Sequence, residues 1–378
     1  ESAGYVLGNA GTGETSRKNR EAFGKWSIVP KRLVKTNCFP SLATTVLGKN
    51  LNVPFAMAPV GVNKIFHPEG EIAATKAAAK EKVPYIMSTA SSTSIEDVAK
   101  ANGDGTRWFQ LYWPDSKHDD ITIFMLHHAK KSRIFCSVRN TRHLYAGMEA
   151  FRYGQRVSAC PYRCRSRSLT SLRYNPFLRA DQIGVAIGFP DPVFREHFKS
   201  KHNCEIEENE QLAAAEWSQI IFPQFSHGWE DIKFLQEHWD GPIILKGIRT
   251  VEDARKCVEL DIHGIVVSNH GGRQVDGGIA SLTVLPRIVE AVGDKLEILF
   301  DPGIRCGADI AKALALGAKL CLVGRPYVYG LALGGENGVS HVLKSLAGDL
   351  ELTLHLAGIT STSTEVSNKT VLEQDSSA

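Results

Sequence analysis

Gly264-Ile265-Val266-Val267-Ser268-Asn269-His270-Gly271-Gly272-Arg273-Gln274 decides the reading of this chain. Its apolar run has the look of a parallel strand buried on both faces, and it ends in a polar, glycine-rich tip. An imidazole that can take a proton near neutral pH stands three residues from a guanidinium, which grips carboxylates through two hydrogen bonds. The glycines let backbone and ligand approach closely. Together they suggest an acid substrate deprotonated beside its own carboxylate anchor. A lone histidine at a strand end is more often structural, so the flanking segments have to decide.

Outward from this strand the same alternation repeats. Short apolar runs at 55–58, 85–88, 108–112, 243–246, 265–268, 298–301 and 320–324 alternate with helix-patterned segments at 68–80, 94–100, 119–131, 251–260, 282–292 and 308–316. Repeated βα units of this kind build a parallel sheet. Several helices open on a good cap, for example Thr250 before Val251-Glu252-Asp253. One more strand is needed before Trp229, and 134–138 supplies it. Eight parallel strands make a (β/α)8 TIM barrel, an α/β fold. Polar residues collect at the C-terminal ends of the runs: Ser88, Gln110, Tyr112, Lys246, Ser268, His270, Asp301 and Arg305. In such barrels that rim builds the active site. We read one domain over 1–378, with its barrel core at about 53–358. A long irregular insertion follows strand four at 133–228, and a flexible tail occupies 361–378.

Composition excludes several other classes. The 378 residues are 43% apolar and 22% charged, ordinary for a soluble globular protein. No apolar run reaches membrane-span length and no signal-peptide pattern opens the chain, so no membrane partner is expected. A start at Glu1 rather than Met suggests a fragment or a processed form. Eight scattered cysteines lack a disulfide-framework spacing, which points to a reducing compartment and a cytoplasmic location. The C-terminus, Asp375-Ser376-Ser377-Ala378, is not a peroxisomal Ser-Lys-Leu signal.

The net charge of +3 hides an asymmetry: from Arg133 to Arg173 there are nine arginines, no lysine and one acid, Glu149. That block has neither helical periodicity nor a nucleic-acid-binding motif, and no nucleic acid is expected. Cys160 and Cys164 lack a second ligand pair nearby in sequence, so no metal is expected either. In Gly11-Thr12-Gly13-Glu14-Thr15-Ser16 a glutamate stands where a phosphate loop needs lysine, which leaves a turn.

Two further motifs carry chemistry. Asp301-Pro302-Gly303-Ile304-Arg305 follows strand seven and Gly324-Arg325-Pro326 follows strand eight. Those are the positions where barrels bind phosphate, through exposed backbone N–H groups, glycines and a helix N-terminus. Lys246, after Ile243-Ile244-Leu245, must meet a negative group or lose its charge. A Schiff base, a phosphate contact and stabilisation of an anionic cofactor all satisfy that demand.

Read together, these motifs resemble the FMN-dependent (S)-2-hydroxy-acid oxidase and dehydrogenase family, of the glycolate oxidase and lactate oxidase type. The signature is the stretch from Ser268 to Gln274, and the resemblance runs from about Tyr5 to Gly358. Tyr5-Val6-Leu7-Gly8-Asn9-Ala10-Gly11, Pro59-Val60-Gly61-Val62, Asp191-Pro192-Val193-Phe194-Arg195 and Gly324-Arg325-Pro326-Tyr327-Val328-Tyr329-Gly330 look most like lactate 2-monooxygenase and its fungal relatives. The resemblance implies FMN held by Ala58, Pro59, Val60, Ser88, Gln110, Lys246 and Ser268. It implies a flavin phosphate on Asp301, Gly303, Arg305, Gly324 and Arg325. His270 would take the proton, Arg273 and Tyr5 would hold the substrate carboxylate, and Tyr112 would lie near the substrate oxygen. Lys246 would stabilise the negative charge of the reduced ring. Ala90 stands where glycolate oxidase-like members carry tryptophan, which looks more like enzymes acting on lactate. The implied partners are a small 2-hydroxy acid and O2, in a homo-oligomer (a tetramer or octamer).

One departure stands out. The family's fourth strand ends in a Thr-x-Asp element followed by an arginine-bearing loop, and the sequence between Arg133 and Tyr174 has no such element. The resemblance resumes at Tyr174-Asn175-Pro176-Phe177-Leu178-Arg179. We read the interval as a frame-shifted or mis-spliced segment, with a divergent lid as the alternative. Without that aspartate the imidazolium of His270 loses its charge partner, so weak flavin retention and low activity are expected. The alternative function is a catalytically impaired barrel that only binds a ligand or partner.

Overall fold

A computed structural model of the chain describes residues 2–35, 38–134, 137–140, 186–223, 226–360 and 371–375. Helices α1 (Ser2–Leu7) and α2 (Glu14–Gly24) lead into a short strand β1 (Trp26–Ile28) and a hairpin of β2 (Thr44–Val46) and β3 (Lys49–Leu51). Eight strands then form a closed parallel barrel: β4 (Phe55–Met57), β5 (Tyr85–Ser88), β6 (Arg107–Leu111), β7 (Ser137–Asn140), β8 (Ile243–Ile248), β9 (Gly264–Val267), β10 (Glu297–Phe300) and β11 (Leu320–Val323). Closure comes from β11, which pairs with β10 on one side and β4 on the other. Between the strands run α3 (Gly70–Lys80), α4 (Ile95–Asn102), α5 (Asp119–Lys131), α6 (Pro192–His202), α7 (Glu210–Ile221), α8 (Ile232–His238), α9 (Val251–Glu259), α10 (Ser281–Val292) and α11 (Gly307–Ala315). The 32-residue α12 (Arg325–Leu356) follows β11, and β12 (Leu372–Gln374) pairs antiparallel with β1.

Strand parity explains how the barrel places its polar residues. Side chains alternate between the two faces of a strand. One buried cluster contains Ala56, Ile86, Trp108, Ile244, Val266, Leu299 and Leu322, and it fills the barrel interior. The alternate residues, among them Tyr85, Met87, Phe109, Leu245, Ile265 and Phe300, belong to the layer under the helices. Two positions beyond each interior residue stand Ala58, Ser88, Gln110, Lys246, Ser268, Asp301 and Gly324. The polar rim is thus the last inward layer at the C-terminal mouth. At the opposite end Val46 and Leu51, from the β2–β3 hairpin, join the interior cluster and plug the barrel.

Three expectations change. The fourth strand lies at Ser137–Asn140, later than 134–138, because Arg133 takes a left-handed conformation (φ 55°). The N–H of Ile134 then closes back on the Ala129 carbonyl at 3.0 Å, so this residue ends α5 instead of opening a strand. The stretch read as an irregular insertion contains α6 and α7, capped by Asp191 and Asn209. The C-terminal tail is pinned where β12 meets β1. Residues 141–185, with most of the arginine block and the Cys160/Cys164 pair, lie outside the described residues.

Candidate active site

The loop after β9 owes its shape to its glycines. After β9 the chain takes three successive left-handed residues, His270 (φ 57°), Gly271 (φ 70°) and Gly272 (φ 75°). That run is costly for side chains other than glycine. A Cβ on Gly272 would also fall 2.6 Å from the Ser16 nitrogen. The Asn269 side chain accepts from the Gly272 N–H at 3.1 Å, and the His270 N–H donates to Ser268 Oγ at 3.0 Å. Curled in this way, the loop presents His270 and Arg273 to one cleft.

The same loop anchors the N-terminal segment. Asn19 and Asn269 exchange side-chain hydrogen bonds of 2.8 and 2.7 Å. Asp276 accepts from the Thr12 N–H at 2.6 Å, the Thr12 hydroxyl at 2.8 Å and the Thr15 N–H at 3.2 Å. These donors hold its carboxyl down at about 2. The Ala10 N–H donates to the Gly272 carbonyl at 3.0 Å. Tyr5 on α1 is therefore brought over the mouth, where the Arg273 guanidinium lies 5.0 Å from its ring centroid and donates to its carbonyl.

The cleft encloses about 720 Å³ of space, its open mouth included. Tyr5, Ala58, Pro59, Val60, Tyr112, Lys246, His270, Arg273, Asp301, Gly303, Arg305, Gly324 and Arg325 all line it. Ser88, Gln110 and Ser268 do not reach its wall and lie buried in the rim layer beneath. Gly61, Gly271, Pro302, Ile304 and Leu322 complete the lining.

The electrostatics are cationic. Burial pushes the His270 imidazole well below its ordinary value, and Lys246, Arg273 and Arg325 push the same way. Burial, then Arg273 and Arg305, lowers the Arg325 guanidinium to about 10. Among the described residues Arg325 meets neutral acceptors: the Val6 carbonyl at 2.8 Å, the Gly8 carbonyl at 3.2 Å, Asn9 Oδ1 at 3.0 Å and the Gly271 carbonyl at 3.5 Å. Arg305 donates to the Ile304 carbonyl at 2.7 Å, and its charged form is likewise disfavoured, first by burial and then by Arg20. A cleft with several poorly compensated guanidiniums fits a ligand set bearing two anionic ends. A flavin phosphate and a substrate carboxylate supply them.

Asp301 departs from the phosphate role. Its carboxylate forms an ion pair with Lys246 at 3.0 Å and accepts from the Ser268 hydroxyl. A carboxylate repels a phosphate, so an anion at this end of the cleft would be met by Gly303, Arg305, Gly324 and Arg325, which line it with Asp301. The 324–326 loop is in fact the first turn of α12, with no side-chain cap and with proline in the first turn. Such a helix start is ready to receive an anion.

Two supporting residues escaped sequence reasoning. Arg20 on α2 pairs with Asp309 at 2.8 Å and donates to the Gly303 carbonyl, fixing the 303–305 loop from outside. Tyr327 donates to the Ala58 carbonyl at 3.1 Å, bracing the tip of β4. Arg20 looks in sequence like any charge on an amphipathic helix. Tyr327 sits in one of the stretches that look like lactate 2-monooxygenase, yet nothing there showed its partner.

A model of the FMN-dependent dehydrogenase family matches residues 1–372. The chain belongs to that family. It is 57% identical over 375 residues to an FMN-dependent alpha-hydroxy acid dehydrogenase of Schizosaccharomyces pombe, covering 99% of this chain and 88% of the relative. It is 38% identical over 362 residues to an L-lactate oxidase of Lysinibacillus sphaericus, covering 95% and 85%. A crystal structure of mandelate oxidase superposes with a TM-score of 0.75 at 29% identity, covering 99% of this chain and 93% of that one. The chain is accordingly an FMN-dependent oxidoreductase on a TIM barrel. These relatives tell against the reading as a barrel that only binds a ligand or partner. No helix among the described residues is long and apolar enough to cross a membrane.

Proposed function

We propose that this chain oxidises a small, lactate-like (S)-2-hydroxy acid to its 2-oxo acid or the decarboxylated product, with O2 as the acceptor. The observation that carries this reading is the meeting of His270, Arg273 and Lys246 in one cleft with the Arg305/Arg325 end. Arg273, beneath Tyr5, holds the substrate carboxylate, and Tyr112 stands near the substrate oxygen. His270 takes a proton from the substrate, and its depressed basicity keeps the imidazole neutral and ready. FMN supplies a two-electron acceptor. Ala58, Pro59, Val60 and Lys246 hold it at the wall of the cleft, backed by Ser88, Gln110 and Ser268 from the layer beneath, with Gly303, Arg305, Gly324 and Arg325 on its phosphate. Lys246 meets the negative charge that develops on reduction. One domain, working as a cytoplasmic homo-oligomer of four or eight copies, completes the proposal.

Anaerobic mixing of the FMN-loaded protein with L-lactate tests the activity. Bleaching of the flavin absorption is expected, and an unchanged spectrum would refute the proposal. Product analysis after admitting air then separates pyruvate from acetate.

A further inference from the structure

A buried carboxylate ties together two rim connections that shape one wall of the cleft. Glu71 lies fully buried in the first turn of α3, where the helix N-terminus favours an anion. Its Oε1 accepts from the Asn63 N–H at 3.0 Å and the Ser92 N–H at 2.9 Å. Its Oε2 accepts from the Ser92 hydroxyl at 2.6 Å and the Thr93 hydroxyl at 2.9 Å. Asn63 stands in the connection after β4, Ser92 and Thr93 in the connection after β5. Both connections lead back to the cleft. Asn63 Nδ2 donates to the Val60 carbonyl at 3.1 Å, and the Val62 N–H donates to the Ala90 carbonyl at 2.8 Å. The Ala90 N–H in turn donates to Ser88 Oγ at 3.1 Å. Between these contacts Val62 is held at φ 50°. A β-branched residue is costly in that left-handed region and stays there only when its surroundings fix it. Gly61 before it has no slack, since a Cβ there would fall 2.7 Å from the Ala90 Cβ.

We propose that Glu71 is a positioning residue for the flavin: by clamping the connections after β4 and β5 to each other, it holds Pro59, Val60 and Gly61 in the shape that receives FMN. The inference rests on the reading that FMN lies against this wall. It adds that the wall is set from behind, by one carboxylate that does not itself line the cleft.

The test is the FMN affinity of the full chain, read by quenching of flavin fluorescence, together with the visible circular dichroism of the bound flavin. Wild type, Glu71→Gln and Glu71→Met are compared well below the melting temperature of each, where a merely structural role would leave both readouts alone. Glutamine can reproduce the clamp, its Oε1 accepting from the two N–H groups and its Nε2 donating to the two hydroxyls. It should bind FMN within about twofold of wild type and show the same dichroism. Methionine fills the space but leaves the buried Asn63 and Ser92 N–H groups without their acceptor. FMN binding should then weaken at least about tenfold, with an altered dichroism. If Glu71→Met does not fold, Thr93→Val takes its place; it removes one of the four donors and should weaken FMN binding at least about threefold. Wild-type affinity and dichroism in the methionine or valine variant overturn the inference alone, whatever the melting temperature. A glutamine variant as weak as methionine overturns it equally. A wild-type chain that takes up no FMN overturns the flavin reading together with it.

Discussion

Arg273 allows the substrate end of the site to be tested apart from the flavin end. It lines the cleft beside His270 and is held by stacking under Tyr5 and by donation to the Tyr5 carbonyl. Arg273→Lys keeps the charge and loses the planar fork, so about one charge-assisted hydrogen bond is lost, worth roughly 1.5–3 kcal/mol. That is roughly a 10- to 150-fold fall in kcat/KM for L-lactate. L-lactamide has no carboxylate for the fork, so its slower turnover should change little. Arg273→Met adds a second signature. Arg273 is one of the cations that depress His270, so its removal raises the imidazole toward its ordinary value. Reaction needs neutral imidazole, and the acid limb of kcat/KM reports the free enzyme. That limb should move to higher pH in Arg273→Met and stay in place in Arg273→Lys. Equal losses on lactate and lactamide, with an unmoved limb in Arg273→Met, would show that Arg273 neither anchors the carboxylate nor faces His270.

Three further outcomes are expected. Arg305→Gln and Arg325→Gln should each weaken FMN binding by roughly 10- to 150-fold, the loss of one charge-assisted contact, read by quenching of flavin fluorescence; unchanged affinity would remove that residue from the phosphate end. Tyr327→Phe leaves the buried Ala58 carbonyl without its 3.1 Å donor and should destabilise the chain by about 1–3 kcal/mol, checked by urea denaturation. Burial lifts the Asp191 carboxyl to about 6, above its unfolded value, so the native state binds the extra proton and stability falls as pH rises from about 4 through 6. Asn can still accept as the N-cap of α6. Asp191→Asn should therefore melt higher than wild type at pH 7.5, and a scan at pH 4 should show the difference gone.

Most of the barrel was legible because its strands are buried on both sides. Continuous apolar runs such as 85–88 and 320–323 leave few alternatives, and parity then fixes which residue of each strand reaches the mouth. The helix at Asp119–Lys131 was legible from its pattern alone. Elements whose existence depends on distant partners were not. β1 and β12 are three-residue strands that pair with each other across almost the whole chain. The β2–β3 hairpin is defined by what it plugs. α12 was hidden by Gly324 and Pro326, which read as a loop and in fact form a helix start. At the site, residue type foretold His270, Arg273, Arg305 and Arg325 as members of one cleft. It did not foretell that Asp301 would pair with Lys246, because parity brings both side chains inward but sequence does not show how close two inward residues from different strands come. The fourth strand was legible as a requirement of the barrel count, and it pairs between β6 and β8 a few residues later than its apolar run indicated.

The hairpin plug has a consequence for traffic. With Val46 and Leu51 stopping the far end of the barrel, the cleft among the described residues opens at the C-terminal mouth. That mouth stands under the N-terminal segment held by Arg273 and Arg325. On the proposed function, a second reactant that reoxidises the cofactor through this mouth would share it with the departing product. The residence time of the product at this shared threshold then decides whether the second reactant meets a vacated site or one still carrying the first product. Mobility at the doorway, as much as the chemistry within, would set the product that emerges.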